Sequence, residues 1–187
     1  MTNTRVLVTG ATGKIGGAVA AQLLEKGVST KVLVRRDDAR AARLRALGAE
    51  VVVADMFDIL QVQAAVDGVD RLFFNPPYHP YALDSAMAFA VAARRSGVEA
   101  VVALGQWLAS PEHPSLMTRH HWLIDKLWPS QLLTYAFVAR AVMSDRLRRD
   151  DAFKIGCMRA WSGSSTSEHI GMRWRIRVKR CSRSQGG

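Results

Sequence analysis

The chain has 187 residues, 49% of them hydrophobic, with a mean hydropathy of zero. That length buries the core of one domain, and no apolar run reaches the ~20 residues that a membrane span needs. Two cysteines, Cys157 and Cys181, are too few for a disulfide framework and are expected as free thiols. The N-terminus runs directly into an apolar strand pattern without a signal-like segment, so a cytoplasmic protein is expected. The formal net charge of +10 would point to nucleic acid if it were spread evenly, but it is not. Residues 1–128 hold 14 Lys and Arg against 12 Asp and Glu, a net of +2, and residues 129–187 hold 12 against 4, a net of +8.

The first predicted element is a short buried strand, Val6-Leu7-Val8. Glycines at three-residue spacing follow, Gly10, Gly13 and Gly16, and then a small-residue helix to Glu25. A phosphate-binding turn needs this layout. Gly10 permits the sharp exit from the strand, and Gly13 lets backbone N–H groups approach a pyrophosphate. Gly16 lets the helix pack close to the sheet with its positive end toward the anion. Glycine-rich turns also close ordinary loops; the strand before and the helix after set this one apart. Thr12, Lys14 and Ile15 complete the set of candidate cofactor contacts in the turn. Ala18, Val19, Leu23 and Leu24 are expected on the buried side of the helix, and Gly27 just past its end.

A second strand is expected over residues 31–35, then a helix from Ala39 to Leu47 capped by Asp37-Asp38 and stopped at Gly48. A third strand over 50–54 closes at Asp55, a short helix covers 58–66, and a fourth strand runs over 71–75. The loop from Asn75 to Pro80 holds three prolines and leads into an Ala-rich helix over 81–96. Gly97 ends it, and a fifth strand is expected from Val98 to Leu104. Five alternations of strand and helix with short loops predict an α/β fold, a Rossmann-like doubly wound parallel sheet covered on both faces. Right-handed crossovers place the strand C-termini along one ligand-binding edge, where Asp55, Asn75 and Gly105 fall.

The segments Val8-Thr-Gly-Ala-Thr-Gly-Lys-Ile-Gly16, Val34-Arg-Arg36, Val53-Ala-Asp55 and Gly68-Val-Asp-Arg-Leu-Phe-Phe74 resemble the NmrA-like family, the atypical short-chain dehydrogenase/reductases that bind NAD(P). The likeness runs from Arg5 to about Trp128. The resemblance implies an adenine contact at Asp55 and a nicotinamide-ribose border at Asn75 and Pro76. Read from the residues alone, Asp55 also fits a cap on the helix that begins near Ile59. An acid ending the second strand selects NAD through the ribose hydroxyls, whereas an arginine there meets the 2′-phosphate of NADP. Arg35 is the candidate for that phosphate because a guanidinium presents a planar fork of donors matched to it, with Arg36 placed to stack on adenine. NADP(H) is the expected cofactor. NAD(H), through Asp37, is the alternative, and two solvated arginines before a helix are the plain reading.

Typical short-chain dehydrogenases use Tyr-x-x-x-Lys, one helical turn apart, with a serine ending the fifth strand. The matching helix here is residues 118–126. Lys126 fits the lysine, as a ribose ligand or as a plain surface residue, but four residues earlier stands Trp122, whose indole N–H is no acid near neutral pH. His121 is one residue out of register and His120 needs a different helical phase. Leu104-Gly105-Gln106-Trp107 offers no serine, and Ser110 comes later. No catalytic residue is therefore assigned. His113, His120, His121 and Asp125 lack the spacing of a zinc site, and no metal is expected.

After Trp128-Pro129 the character changes. Residues 131–149 are compatible with a helix, with Leu132, Leu133, Ala136, Val138, Val142 and Leu147 apolar, and 173–180 alternate as one exposed strand. From Lys154 onward no period holds, and Arg, Ser, Trp and Cys are enriched, as when GC-rich coding sequence is read out of register. The expected organisation is thus an NAD(P)-binding domain over 1–128, truncated after its fifth strand, joined to a basic segment over 129–187 outside the ancestral frame. A basic tail gripping phosphates on nucleic acid or a membrane surface ranks below this, since Trp161 and Trp174 sit in no nucleic-acid motif. Three functions follow: an NADPH-dependent reductase of a quinone or small carbonyl compound, a non-catalytic NADP-binding redox sensor that signals to a partner protein, and an inactive truncated family member. The substrate is not readable from the sequence.

Overall fold

The middle of the sheet is β1 (Arg5–Thr9), whose Val6, Leu7, Val8 and Thr9 have no exposed surface. In the computed structural model of the protein, which describes residues 4–106, 109–128 and 134–140, the chain continues through α1 (Lys14–Glu25), β2 (Ser29–Val34), α2 (Ala39–Ala46) and β3 (Glu50–Val53). It then passes through α3 (Ile59–Val66), β4 (Arg71–Phe74), α4 (Ala82–Arg95), β5 (Ala100–Gln106), α5 (Leu116–Leu127) and β6 (Thr134–Arg140). The strand order is β3-β2-β1-β4-β5-β6 and every pairing is parallel. This is the doubly wound Rossmann order, which reverses direction between β1 and β4. No helix of the described residues is long and apolar enough to cross a membrane.

Both faces are buried at β1, β2, β4 and β5, which is why their sequences read as apolar runs rather than as alternating ones. Alternate side chains go to opposite faces. Leu7, Leu33, Leu72, Phe74, Val101 and Ala103 pack under α3, α4 and α5, against Val62, Phe89, Ile124 and Trp128. Val6, Val8, Val32, Val34, Phe73 and Val102 pack against Val19, Ala20 and Leu23 of α1 and Ala41 and Leu44 of α2. In α1 the buried side is Gly16, Val19, Ala20 and Leu23, while Ala18 faces out. Ala20 replaces the expected Ala18 because position 20 lies one turn from both 16 and 23.

The starts of α2 and α3 are each set by a single carboxylate. Asp38 caps α2, accepting from the N–H groups of Arg40 (2.9 Å) and Ala41 (3.2 Å). Asp58 caps α3, accepting from Leu60 (2.9 Å) and Gln61 (3.2 Å). Asp37 is therefore not part of the α2 cap, and Asp55 does not cap α3.

The sheet runs one strand further than expected. Thr134–Arg140 pairs with β5 in register from Ala100↔Thr134 to Gln106↔Arg140, where a helix over 131–149 and an end to the sheet after β5 were expected. Ala136 and Val138 fit a period of two as well as a helical face, and pairing against β5 decides between them. The parallel sheet thus crosses the expected boundary at Trp128. The basic run beyond 140, with Cys157, Cys181, Trp161, Trp174 and the expected strand over 173–180, lies outside the described residues.

Candidate functional site

Gly10 leaves β1 at φ +65°, a conformation open to glycine. The turn closes through the Gly13 N–H donating to the Gly10 carbonyl at 2.9 Å. Helix α1 then starts at Gly13, with no side chain capping it and no acid in its first turn. Its first N–H groups and the positive end of its dipole are left for an anion. A Cβ on Gly16 would lie 2.3 Å from the Gly10 carbonyl oxygen and 2.8 Å from that of Thr9, so only glycine brings the helix this close to the turn. Thr12 is half-buried and Lys14 exposed, while Ile15 packs against the core beneath α1.

At the switch point the turn meets β4. The Asn75 N–H donates to the Thr9 hydroxyl at 2.8 Å, and a Cβ on Gly10 would come within 2.7 Å of the Asn75 amide nitrogen. The structure thus brings Asn75 against the glycine turn, with Pro76 buried beside it. Thr9 is the fastener between the two strand ends. It escapes sequence reasoning because a threonine in a strand is ordinary β-forming sequence.

Beyond β2, the exposed Arg35 and Arg36 line a cleft of about 240 Å³ together with Thr12 and Arg40. Among the described residues neither Arg35 nor Arg36 has a side-chain hydrogen bond or ion pair, whereas Arg40 is held by Asp38. That bond, followed by the N–H of Ala41, holds the Asp38 carboxyl down to about 2. Asp37 is turned to the outer side of α2, 3.2 Å from Arg45, an exposed pair. Arg40 was not legible as a site residue, although one signal existed. A cation in the first turn of a helix opposes the helix dipole.

Asp55, two residues past β3, is exposed, its carboxylate accepting from the Phe57 N–H at 3.0 Å and its own N–H donating to the Gln61 side chain at 2.9 Å. On α5, the exposed Lys126 places its ammonium 5.8 Å from the centre of the Trp122 ring, a cation–π contact. Burial pushes the neighbouring Asp125 carboxyl up to about 7, against the opposing pull of Lys126. His113 braces its loop, its Nδ1 accepting from the Ser115 N–H at 3.0 Å, and Ser110 donates to Glu112 at 2.8 Å. Among the described residues no group of three or more His, Cys, Asp or Glu is placed to hold a metal ion.

The turn, the Arg35–Arg36 corner and Asn75 share one edge of the sheet, and the family model described as NmrA-like matches the chain across all three, over residues 2–107. The chain belongs to the NmrA-like family. This NmrA-like chain is 35% identical over 118 residues to an NAD(P)H azoreductase of Xenophilus azovorans, covering 63% of this chain and 40% of that protein. Its fold is similar to that of a Citrobacter triphenylmethane reductase complexed with NADP(H), with a TM-score of 0.66 and 27% identity over 76% of this chain and 51% of that one. It is also similar to an Escherichia coli NADPH-dependent quinone oxidoreductase, with a TM-score of 0.57 and 26% identity over 71% and 46% of the two chains. The chain therefore spans about half, or less, of the length of these relatives.

Proposed function

We propose that the chain binds NADP(H) and that its activity is NADPH-dependent reduction of a quinone or another small carbonyl compound. The observation that carries this reading is the joining of the glycine turn to the arginine-lined cleft through Thr12. In this reading the open N-terminus of α1 takes the pyrophosphate, and Gly16 keeps that end of the helix against the turn. Arg35 holds the 2′-phosphate and Arg36 lies along the adenine. Asp37, engaged with Arg45, leaves the ribose corner to the arginines. Asn75 and Pro76 border the nicotinamide ribose, with Thr9 holding Asn75 in place. NADPH supplies the hydride when bound. A quinone needs no protein acid at the moment of transfer, which fits Trp122 at the tyrosine position. The relatives named as an azoreductase, a triphenylmethane reductase and a quinone oxidoreductase support a nicotinamide-dependent reductase, and the last of them supports a quinone as the acceptor.

Titration of NADPH and NADH by fluorescence, on the wild type and on Arg35→Ala, tests the cofactor assignment. Tighter binding of NADPH, lost in Arg35→Ala with NADH unaffected, is expected; a wild-type preference for NADH would overturn it. Trp122 and its stacked Lys126 favour a second reading, a non-catalytic NADP-binding redox sensor that acts through a partner protein. NADPH oxidation measured against a panel of quinones separates the two. Tight binding with no turnover on any quinone selects the sensor.

A further inference from the structure

We infer that Arg40 is a third determinant of phosphate selection, lining the same cleft as Arg35 so that both grip a phosphomonoester carried on the ribose. The inference rests on the NADP(H) reading above and names a residue that neither the glycine motif nor the end of β2 points to. Arg40 lines the same cleft as Thr12, Arg35 and Arg36, though it belongs to a different element, the first turn of α2. That location is electrostatically unfavourable for a cation, since the N-terminal end of a helix is positive. A helix built for stability alone would carry an acid there; α2 has none in its first turn.

Asp38 resolves the conflict while leaving donors free. One carboxylate oxygen, Oδ1, accepts from the backbone N–H groups of Arg40 and Ala41. The other, Oδ2, accepts from Arg40 Nε at 3.0 Å and Nη2 at 2.7 Å. A guanidinium has five N–H donors, and this arrangement commits two of them. The remaining N–H bonds, those of Nη1 and the second of Nη2, are available to an incoming ligand. The cleft therefore gathers three arginines, with Arg40 alone tied to Asp38 and the other two uncommitted among the described residues. This excess of charge and planar donors suits a phosphate dianion and has no use for a ribose hydroxyl. The other arginines of α2 do not share the role. Arg45 is tied to Asp37, and Arg43 does not line the cleft.

The test is fluorescence titration of the full chain with NADPH and with NADH, and competition by adenosine 2′-phosphate and adenosine 5′-phosphate. The variants are Arg40→Gln, Arg40→Lys, Arg35→Ala and, as a control on the same helix, Arg43→Gln. Arg40→Gln should weaken NADPH and adenosine 2′-phosphate by about tenfold, the size of one charge-assisted hydrogen bond, and leave NADH and adenosine 5′-phosphate within about twofold. Arg40→Lys should recover part of the loss, and Arg43→Gln should match the wild type. If Arg35→Ala weakens NADPH and Arg40→Gln does not, the inference falls and the NADP(H) reading stands. Equal weakening of NADPH and NADH in Arg40→Gln makes the residue structural and also overturns the inference. A wild type that fails to prefer NADPH removes the reading and the inference together.

Discussion

Replacing Gly16 with alanine tests whether the tight packing of α1 on its turn is what makes the anion site. The added Cβ would sit 2.3 Å from the Gly10 carbonyl oxygen, 2.6 Å from its carbon and 2.8 Å from the Thr9 oxygen, where ordinary contact begins at 3.4 Å. The helix start must move by about 1 Å, because all three obstacles are backbone. Overpacking of this kind costs ~1–3 kcal/mol. Alanine recovers ~1 kcal/mol through helix propensity. With no flexible side chain to yield, the overpacking cost falls at the upper end of its range, and the net loss should approach ~2 kcal/mol, a fall of up to ~1 M in the urea midpoint. The displaced N–H groups should also weaken NADPH by about tenfold, since a hydrogen bond to a charged group contributes ~1.5–3 kcal/mol. Gly17→Ala is the comparison. Its Cβ would stand 3.0 Å from the Ala11 oxygen and needs a shift of only a few tenths of an ångström. A Gly16→Ala protein with an unchanged midpoint and undiminished NADPH affinity would refute the argument from backbone contact.

Thr9→Val keeps the shape of a fully buried side chain but removes the acceptor for the Asn75 N–H. It should cost ~1–3 kcal/mol in urea denaturation and weaken NADPH by letting the end of β4 drift from the turn; wild-type values on both counts would remove Thr9 from the site. Asp125 gives a pH signature. Its carboxyl sits at about 7 in the folded chain, above the ordinary value of 3.8, so the folded state holds the extra proton and its stability falls as pH rises between those values. Asp125→Asn should therefore raise the denaturation midpoint at pH 8 and change it little at pH 4, and an equal effect at both pH values would refute the assignment.

The glycine turn was legible because its logic is local. A strand, three spaced glycines and a helix dictate the backbone path whatever packs around them. The strand ends bearing Arg35, Asp55 and Asn75 were legible for the same reason, each following a short apolar run. What escaped depends on pairing across the fold. The strand over Thr134–Arg140 is decided by β5, some thirty residues earlier, and its apolar positions also suit a helix. Thr9 acquires its role from a partner 66 residues away. Arg40 is one of several arginines on α2, and only its place in the cleft with Thr12 and Arg35 separates it from Arg43. Between Asp37 and Asp38 the local sequence offers no choice of cap; the bonds of Asp38 to the Arg40 and Ala41 N–H groups make it.

Trp128 has a consequence for how the protein can be cut. It closes α5 with no exposed surface, and its ring lies 5.4 Å from Phe74, which in turn lies 5.1 Å from Phe89. The region shared with the family model stops at residue 107, before α5 begins. A fragment ending there would keep every residue of the proposed nucleotide site and lose Ile124 and Trp128 from beneath β4 and β5. Phe74, the residue before Asn75, would then lose the ring that packs against it. The family-matched region and the packed core therefore have different ends, and a piece excised along the first would carry the site on a strand stripped of part of its cover.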